Sequence, residues 1–356
     1  MFEKISVNSL KYKTSELPNI PTNECVLPAL TAGIQNQGLN NYVPRDNATI
    51  LKNVISISAN GANTGATFYQ SKEFTVLQDA YAIKWIYTDE KLSDNSYIFL
   101  TSSIHKTIYG NYEWTNKAGW ERIKNDKIKL PTKNGKIDFD FMESFIAELE
   151  AERVAELSAY LKVSGYDNYE LSADEVDALR KFETLEWNSF NLKDLFGQST
   201  RGKRLKSADR ISGDLPFVTA GEADEGISAY ISNDVEVFEK NTTTIDMFGS
   251  AKYRNYKYGA DDHIAVVHTE KLPKYASIFV TTAIHKSSHN GQFNYGKNFY
   301  AKDADELFIQ LPVKNGTPDF ETMELLISSV HKLVIKDVVL YSDKKIAATK
   351  KIVSDN

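Results

Sequence analysis

Two sets of residues carry the types that could do chemistry unaided. Pro318-Asp319 followed by Asp343-Lys344-Lys345 matches on paper the PD…DxK pattern of nucleases, in which carboxylates and a lysine hold Mg2+ and activate water. That chemistry needs its DxK on a strand, whereas Asp343 falls in a helical run, and Asp319 merely repeats the turn position of Asp138. His105 and His285 stand at matching places in IFLTSSIHK and IFVTTAIHK and could act as paired bases. Each lies in an apolar run beside Ile104 or Ile284, where a hydrogen-bonded structural histidine is the ordinary outcome.

Other centres are missing from the sequence. There is no GxxxxGK(S/T) or GxGxxG, and no glycine-rich cofactor loop with the (N/D)PP(Y/F) or Pro-Cys motif of a DNA methyltransferase. Cys25 is the one cysteine, and the six histidines show neither CxxC nor HExxH spacing, so no metal and no resident cofactor are expected.

What remains is chemistry of contact. Sequence-specific DNA readers combine lysine and arginine contacts to phosphate with polar side chains that reach base edges. The segment GQSTRGKRLKSADRISGD supplies Arg201, Lys203, Arg204, Lys206 and Arg210 among glycines that allow close backbone approach; a solvated loop is the bland alternative. Its counterpart KYKTSELPNIPTNE offers only Lys11 and Lys13. A second candidate is AKYRNYKYG, with Lys252, Tyr253 and Arg254, opposite ANTGATFYQSK, with Asn63 and Lys72; a decorated hairpin would look the same. Lys297 in HNGQFNYGKNF aligns loosely with Lys117 in YGNYEWTNKAGW, and Lys106 and Lys286 follow the two histidines.

These candidates come in pairs because the chain is a duplication. LPALTAGIQNQGLNNYVPRD from Leu27 returns as LPFVTAGEADEGISAYISND from Leu215, and LPTKNGKIDFDFMESFI from Leu130 returns as LPVKNGTPDFETMELLI from Leu311. The period, near 185 residues, exceeds any solenoid repeat, so each copy is a domain. Residues shared by the copies, such as TAG, IHK and KNG, are expected to hold the scaffold. Windows that differ at matching places, Ile34 to Gln37 (with Gln35 and Asn36) against Glu222 to Glu225 and Asn63 to Gln70 against Lys252 to Tyr258, are where two specificities would lie.

Short β-branched and aromatic runs, NVISIS, TTTIDMF, HIAVVH and SIFVTTAI, read as strands between Gly, Asn and Asp turns. After KNG each copy enters a helical pattern: Met142, Ile146, Leu149, Val154, Leu157 and Leu161, then Met323, Ile327, Val330, Val334, Val338 and Tyr341. Such narrow stripes predict a coiled-coil seam, with an antiparallel pair holding the β-rich bodies apart as a rod. Ser172 and Glu175 resemble a capping box on a shorter acidic helix. The expected fold is α+β: a first recognition domain over 1–137, a helical spacer over 138–186, a second domain over 187–318 and a C-terminal helical spacer over 319–356.

At 356 residues, 42% hydrophobic and 25% charged, the chain has room for two cores. The net charge of −6 does not exclude DNA, because residues 138–186 alone carry 4 Lys+Arg against 14 Asp+Glu and leave local base on both flanks. No window approaches the roughly 20 apolar residues of a membrane span, and MFEKISVNSLKYK lacks a signal peptide's apolar stretch, so a cytoplasmic protein with no membrane partner is expected.

WNSFNLKDLF from Trp187, GKRL at Gly202, LPFVTAG, GISAYI, TIDMFG and the LPVKNGTPDFETME entry into the last helix resemble the specificity subunits of restriction-modification systems, over nearly the whole chain. The opening FEKISVNSL departs from the pattern, lacking the tryptophan and the GKRL-like loop. The resemblance implies that each domain reads half of a bipartite duplex-DNA target and that the helices set the gap. It implies further that the helical residues named above dock methyltransferase and restriction subunits, which use S-adenosylmethionine and Mg2+ while this chain catalyses nothing. The paired LPxKNGxxDFxxME turns resemble the type IIB-like systems more than type I. From another class, tandem β domains could bind carbohydrate or protein through exposed Tyr and Trp.

Overall fold

The computed structural model describes residues 1–89 and 91–354. In chain order the elements are β1 (Phe2–Lys4), β2 (Leu27–Leu30), β3 (Leu39–Val43), β4 (Val54–Ser58), β5 (Thr67–Gln70), β6 (Thr75–Val76), β7 (Ala80–Trp85), α1 (Asp94–Ile108), α2 (Trp120–Ile123), β8 (Thr132–Lys133), β9 (Lys136–Ile137) and α3 (Phe139–Val163). The second copy follows with α4 (Ala173–Lys181), β10 (Trp187–Asn191), α5 (Leu192–Phe196), β11 (Thr200–Arg201), β12 (Ser212–Val218), β13 (Ile227–Ile231), β14 (Thr242–Asp246), β15 (Ala251–Arg254), β16 (Gly259–Ala260), β17 (Ile264–Val267), α6 (Lys274–Ser288), α7 (Ala301–Asp305), β18 (Phe308–Lys314), β19 (Thr317–Pro318) and α8 (Phe320–Ser354). The chain divides into two compact units, one of residues 1–157 with 345–356 and one of residues 158–344.

The α+β reading holds, and both units repeat one plan. The first has a four-stranded sheet ordered β1-β7-β4-β5 and a three-stranded sheet β3-β2-β6; the second has β11-β17-β14-β15 and β13-β12-β16, with β10-β18-β19 in addition. The central strands β4 and β14 are buried along their whole length, which is why VISIS and TTTID read as apolar or β-branched runs rather than alternating ones.

One expectation fails. The run SIFVTTAI forms no strand; it is the middle of α6, and IFLTSSI is the middle of α1. The buried residues of α6 are Ala276, Ser277, Val280, Thr281, Ile284 and Ser288, a spacing of three and four that lays one face on the sheet. That burial outweighs the modest helix cost of Val, Ile and Thr. Thr281 and Ser288 also donate from Oγ to the carbonyls of Ser277 and Ile284, at 2.8 Å each, so their hydroxyls are satisfied without a strand partner.

The KNG turns behave as read: Asn134 and Gly135 (φ 52° and 75°) and Asn315 and Gly316 (φ 54° and 78°) take left-handed backbone. The aspartate that follows caps the helix. Asp138 Oδ1 accepts from Phe141 N at 3.0 Å, and Asp319 Oδ1 accepts from Thr322 N at 3.0 Å. Asp319 is thus committed to a cap, and Asp343 lies 24 residues along the same α8, about 36 Å away at 1.5 Å per residue, so the two cannot share a metal.

The helical stripes need correction. Met142 is fully buried in the first core beside Ile55 and Ile83, and Met323 in the second beside Ile245 and Ile309, so neither side chain is available to a partner. Ile146, Val154 and Leu161 are buried too, Leu157 and Ile327 half-buried. In the first half of α3 Leu149 is exposed as read, and Phe141 and Phe145, which the stripe did not include, stand out beside it at four-residue spacing, their rings stacked at 5.8 Å. On α8 the expected stripe does face out: Val330, Val334, Val338 and Tyr341 are exposed, Val334 at 73%. Met142 and Ile146 are buried in place of Phe141 and Phe145 because the first turns of α3 must bury a face in the domain from which they emerge.

Within the second unit Ser172 caps α4 as read, with Glu175 completing the box at 2.7 Å. Glu175 then accepts from Ser328 Oγ at 2.6 Å and from Lys332 Nζ at 2.9 Å on α8. Within the first unit Lys345, in the last part of α8, donates to Glu150 on α3 at 2.6 Å.

Candidate DNA interface

The windows that differ between the copies share one backbone. Asn36 and Gln37 (φ 47° and 57°) match Asp224 and Glu225 (φ 47° and 54°), and each tip is closed by a glycine whose added Cβ would stand 2.8 Å from Thr31 O (Gly38) or 2.6 Å from Thr219 O (Gly226). Four consecutive residues, 34–37 and 222–225, are exposed at each tip. Two left-handed non-glycine residues in a row are strained, and a strain present twice at matching places marks a shape the fold maintains. The first tip presents Gln35, Asn36 and Gln37; the second presents Glu222, Asp224 and Glu225.

Beneath the second tip lies the AKYRNYKYG segment, where burial removes Arg254 from the DNA contacts while Lys252 and Tyr253 are half-buried and bonded within the domain. Arg254 is 1% exposed; it donates from Nε to Thr244 Oγ1 at 2.9 Å, from Nη1 to Tyr256 Oη at 2.9 Å and from Nη2 to the Glu225 carbonyl at 2.8 Å. Lys252 bonds Ser250 Oγ at 3.0 Å and pairs with Glu222 at 3.2 Å. The bond from Ser250 above all, and Lys252 with it, holds the Glu222 carboxyl below its ordinary value. Tyr253 donates to Asn241 Oδ1 at 2.9 Å. Arg254 and Lys252 brace the tip, and Tyr253 holds the Asn241 turn that leads into β14. In the first unit Gln70 stands at the place of Arg254 and donates to Ser56 Oγ at 3.1 Å, the same bond in shortened form.

The basic loop divides likewise. Arg201 donates to the Asp262 carbonyl at 2.5 Å and lies 5.3 Å from the Tyr300 ring, while Arg210 donates to Ser228 Oγ at 3.1 Å and stacks over Phe217 at 5.0 Å. Both hold the loop. Gly202 lets it lie on the neighbouring backbone, since an added Cβ would stand 2.3 Å from the carbonyl oxygens of Ala260 and Asp261. The exposed side chains of Lys203, Arg204 and Lys206 make no hydrogen bond or ion pair among the described residues and stay open to an anion. The Asp261-Asp262-His263 cluster anchors this loop, Asp261 Oδ1 accepting from Leu205 N at 3.3 Å.

Matching loops after α1 and α6 each present an aromatic beside a lysine. Trp114 is 66% exposed with Lys117 Nζ 5.6 Å from its ring; Tyr295 is 86% exposed, two residues from Lys297. Sequence reading found the lysines and missed the rings, because exposure of an aromatic is a tertiary property. Tyr295 lies edge-on to Phe248 at 5.1 Å, and Phe248 N donates to the buried Asp246, which also accepts from Gly221 N at 3.4 Å at the base of the tip. Tip, turn and aromatic loop of the second unit are thus one connected surface.

The remaining candidates are scattered. Lys11, Lys13, Lys72, Lys106 and Lys286 are exposed, Lys13 lying 4.0 Å from Glu16. Asn63 is half-buried and accepts from Tyr109 Oη at 3.4 Å. His105 and His285 accept from backbone amides, Thr67 N at 3.2 Å and Ala251 N at 3.1 Å, and burial lowers the pKa of both, as suits neutral structural imidazoles.

Residues 4–159 and 184–337 match the type I restriction modification DNA specificity domain. The chain belongs to that family. It carries two tandem specificity domains, and the two matched stretches are the two copies of the repeat. It is similar to the type II restriction enzyme BgcI specificity subunit S.BcgI of Heyndrickxia coagulans, 27% identical over 250 residues, 68% of this chain and 69% of that one. Its fold is that of the type I restriction-modification S subunit from M. genitalium, with a TM-score of 0.62 at 16% identity, covering 99% of this chain and 91% of that one. No helix among the described residues is long and apolar enough to cross a membrane.

Proposed function

We propose that each specificity domain reads one half of a bipartite duplex-DNA target through its exposed tip, as the non-catalytic specificity subunit of a restriction-modification complex. The observation that carries this is the pair of tips: one strained backbone twice, with amides on the first and carboxylates on the second. Glutamine and asparagine can bond adenine N6 and N7, whereas carboxylates accept from cytosine N4 and repel phosphate, so the tips suit different base edges. Lys203, Arg204 and Lys206, with the exposed aromatic-lysine loops, supply contacts to phosphate and sugar.

In this reading α3 and α8 are the helical spacers that close the two specificity domains. Phe141, Phe145 and Leu149 on α3 and Val330, Val334 and Val338 on α8 are the apolar faces for methyltransferase and restriction subunits. Those subunits would bring S-adenosylmethionine and Mg2+, since base methylation and cleavage need both. The relative that is a type II specificity subunit favours a type IIB-like system. Methylome sequencing of the host with and without the gene tests this directly. A bipartite modified motif is expected, and exchanging residues 1–137 for those of a relative should change one half of it; a change in both halves or in neither refutes the reading.

A further inference from the structure

The loops that follow α1 and α6 end alike. Glu113 N donates to the Asn116 carbonyl and Asn116 N to the Glu113 carbonyl, at 3.1 Å each, and Asn294 and Lys297 exchange the same two bonds at 3.0 Å each. Each pair closes a two-residue turn whose first residue is an aromatic, Trp114 in one domain and Tyr295 in the other. Both turns are held from below. Arg122 Nη1 donates to Asn116 Oδ1 and Ala118 N to Thr64 Oγ1, at 2.9 Å each. In the second domain Gly296 N donates to Asn294 Oδ1 and Phe299 N to the Met247 carbonyl, again at 2.9 Å each.

Neither ring enters the hydrophobic core of its domain, although burial of an aromatic side chain is among the larger gains open to a fold. Instead the fold joins each ring to its tip. In the second domain the link runs from Tyr295 through Phe248 and Asp246 to Gly221. In the first, Thr31 at the base of the tip donates to the Gln78 carbonyl at 2.7 Å, and Asn60 donates to Asp79 Oδ1 at 2.8 Å in the turn that also carries Thr64. Lys117 and Lys297 beside the rings can meet phosphate. What the rings add is a π face on a braced arm two strands wide, and the major groove, about 12 Å across, admits such a ribbon.

We infer that Trp114 and Tyr295 each enter the base stack of the bound duplex and fill the gap left when a base is drawn out for methylation. This rests on the DNA reading above and on its methyltransferase partner. Chemistry on a base requires that base to leave the duplex, which strips its two neighbours of their stacking. An inserted ring restores that contact, as apolar wedges do in proteins that open a base step. One ring in each domain matches one extruded base in each half-site. Lys117 Nζ, 5.6 Å from the centre of the Trp114 ring, is placed to hold the phosphate beside the gap.

The test titrates the full chain against two duplexes of one arbitrary sequence, one intact and one carrying a single abasic site. The parent should bind the gapped duplex about tenfold more tightly, the worth of stacking one base on a ring. Trp114→Ala together with Tyr295→Ala should abolish that preference. Trp114→Phe together with Tyr295→Phe should keep it, since phenyl stacks but donates no hydrogen bond. A fluorescent adenine analogue beside the abasic site should be quenched by the parent and not by the Ala variant. Equal affinity of the parent for the two duplexes, a preference that survives both Ala substitutions, or one that the Phe substitutions remove overturns the inference. If the parent shows no preference yet binds the intact duplex with a steep salt dependence, the DNA reading stands without it; if neither duplex is bound, both fall.

Discussion

Arg254 lies wholly buried beneath the second tip and donates from Nη2 to the Glu225 carbonyl at 2.8 Å, holding in place a residue whose φ is +54°. A cation that composition assigns to DNA is an internal strut. Its three bonded partners satisfy the guanidinium, the condition under which a buried charge is tolerated. The strained tip persists because the surrounding structure over-determines it.

Arg254→Gln installs the residue that the first domain uses at this place. It should retain a bond to Thr244 and lose the one to Glu225, at a cost of about 1–3 kcal/mol in urea unfolding. Amide exchange over 222–226 should quicken while that of β14 does not. Equal exchange in the variant and the parent would show that the tip holds itself.

The open cations of the basic loop give a salt-dependence test. Replacing Lys203, Arg204 and Lys206 together by Ala should lower the slope of log K against log salt, measured on random duplex DNA, by about two to three, since each phosphate contact contributes about 0.9. Arg210→Ala should instead loosen the loop, because its guanidinium spans Leu205, Ser228 and the Phe217 ring. A slope untouched by the triple substitution would favour the carbohydrate or protein ligand for the exposed rings.

Glu175 gives a pH signature. Burial pushes its carboxyl up, but the bonds from Ser328, the Ser172 amide and Lys332 outweigh it and bring the group from 4.5 down to about 2. A carboxyl depressed in the folded state stabilises above its unfolded value, and that contribution is lost as the pH falls from about 4.5 toward 2. The urea midpoint of the second unit should therefore drop across that window, and in Glu175→Gln the drop should shrink. Glu175→Ala should cost about 3 kcal/mol at neutral pH, because Lys332 is left largely buried without its carboxylate.

The two kinds of apolar residue on α8 separate assembly from folding. Met323→Ala empties space in the second core and should cost about 2–5 kcal/mol. Val334→Glu changes a side chain that is 73% exposed, so thermal unfolding of the isolated chain should barely move while co-purification with partner subunits is lost. Retained co-purification would remove this stripe from the docking surface.

The candidate site was legible only in outline. Comparison of the copies located the tips, because a differing window between shared residues is visible as text, and it identified Gln35 and Asn36. It did not separate Lys203 from Arg210 or Lys252 from an open lysine, since those pairs differ only in what folds against them. Trp114 and Tyr295 went unnoticed because an exposed ring and a core ring share one letter.

Sequence alone determined the duplication, the α+β class, the KNG turns with their capping aspartates, and the absence of familiar catalytic motifs. These rest on local constraints, left-handed turn residues, cap geometry and period, that act within a few residues and repeat wherever the text repeats. Tertiary structure alone decided that SIFVTTAI is a helix, that Met142 and Met323 belong to cores, and that Arg254 is a strut. Each depends on a partner far away in the chain, and burial against that partner is worth more than any local preference.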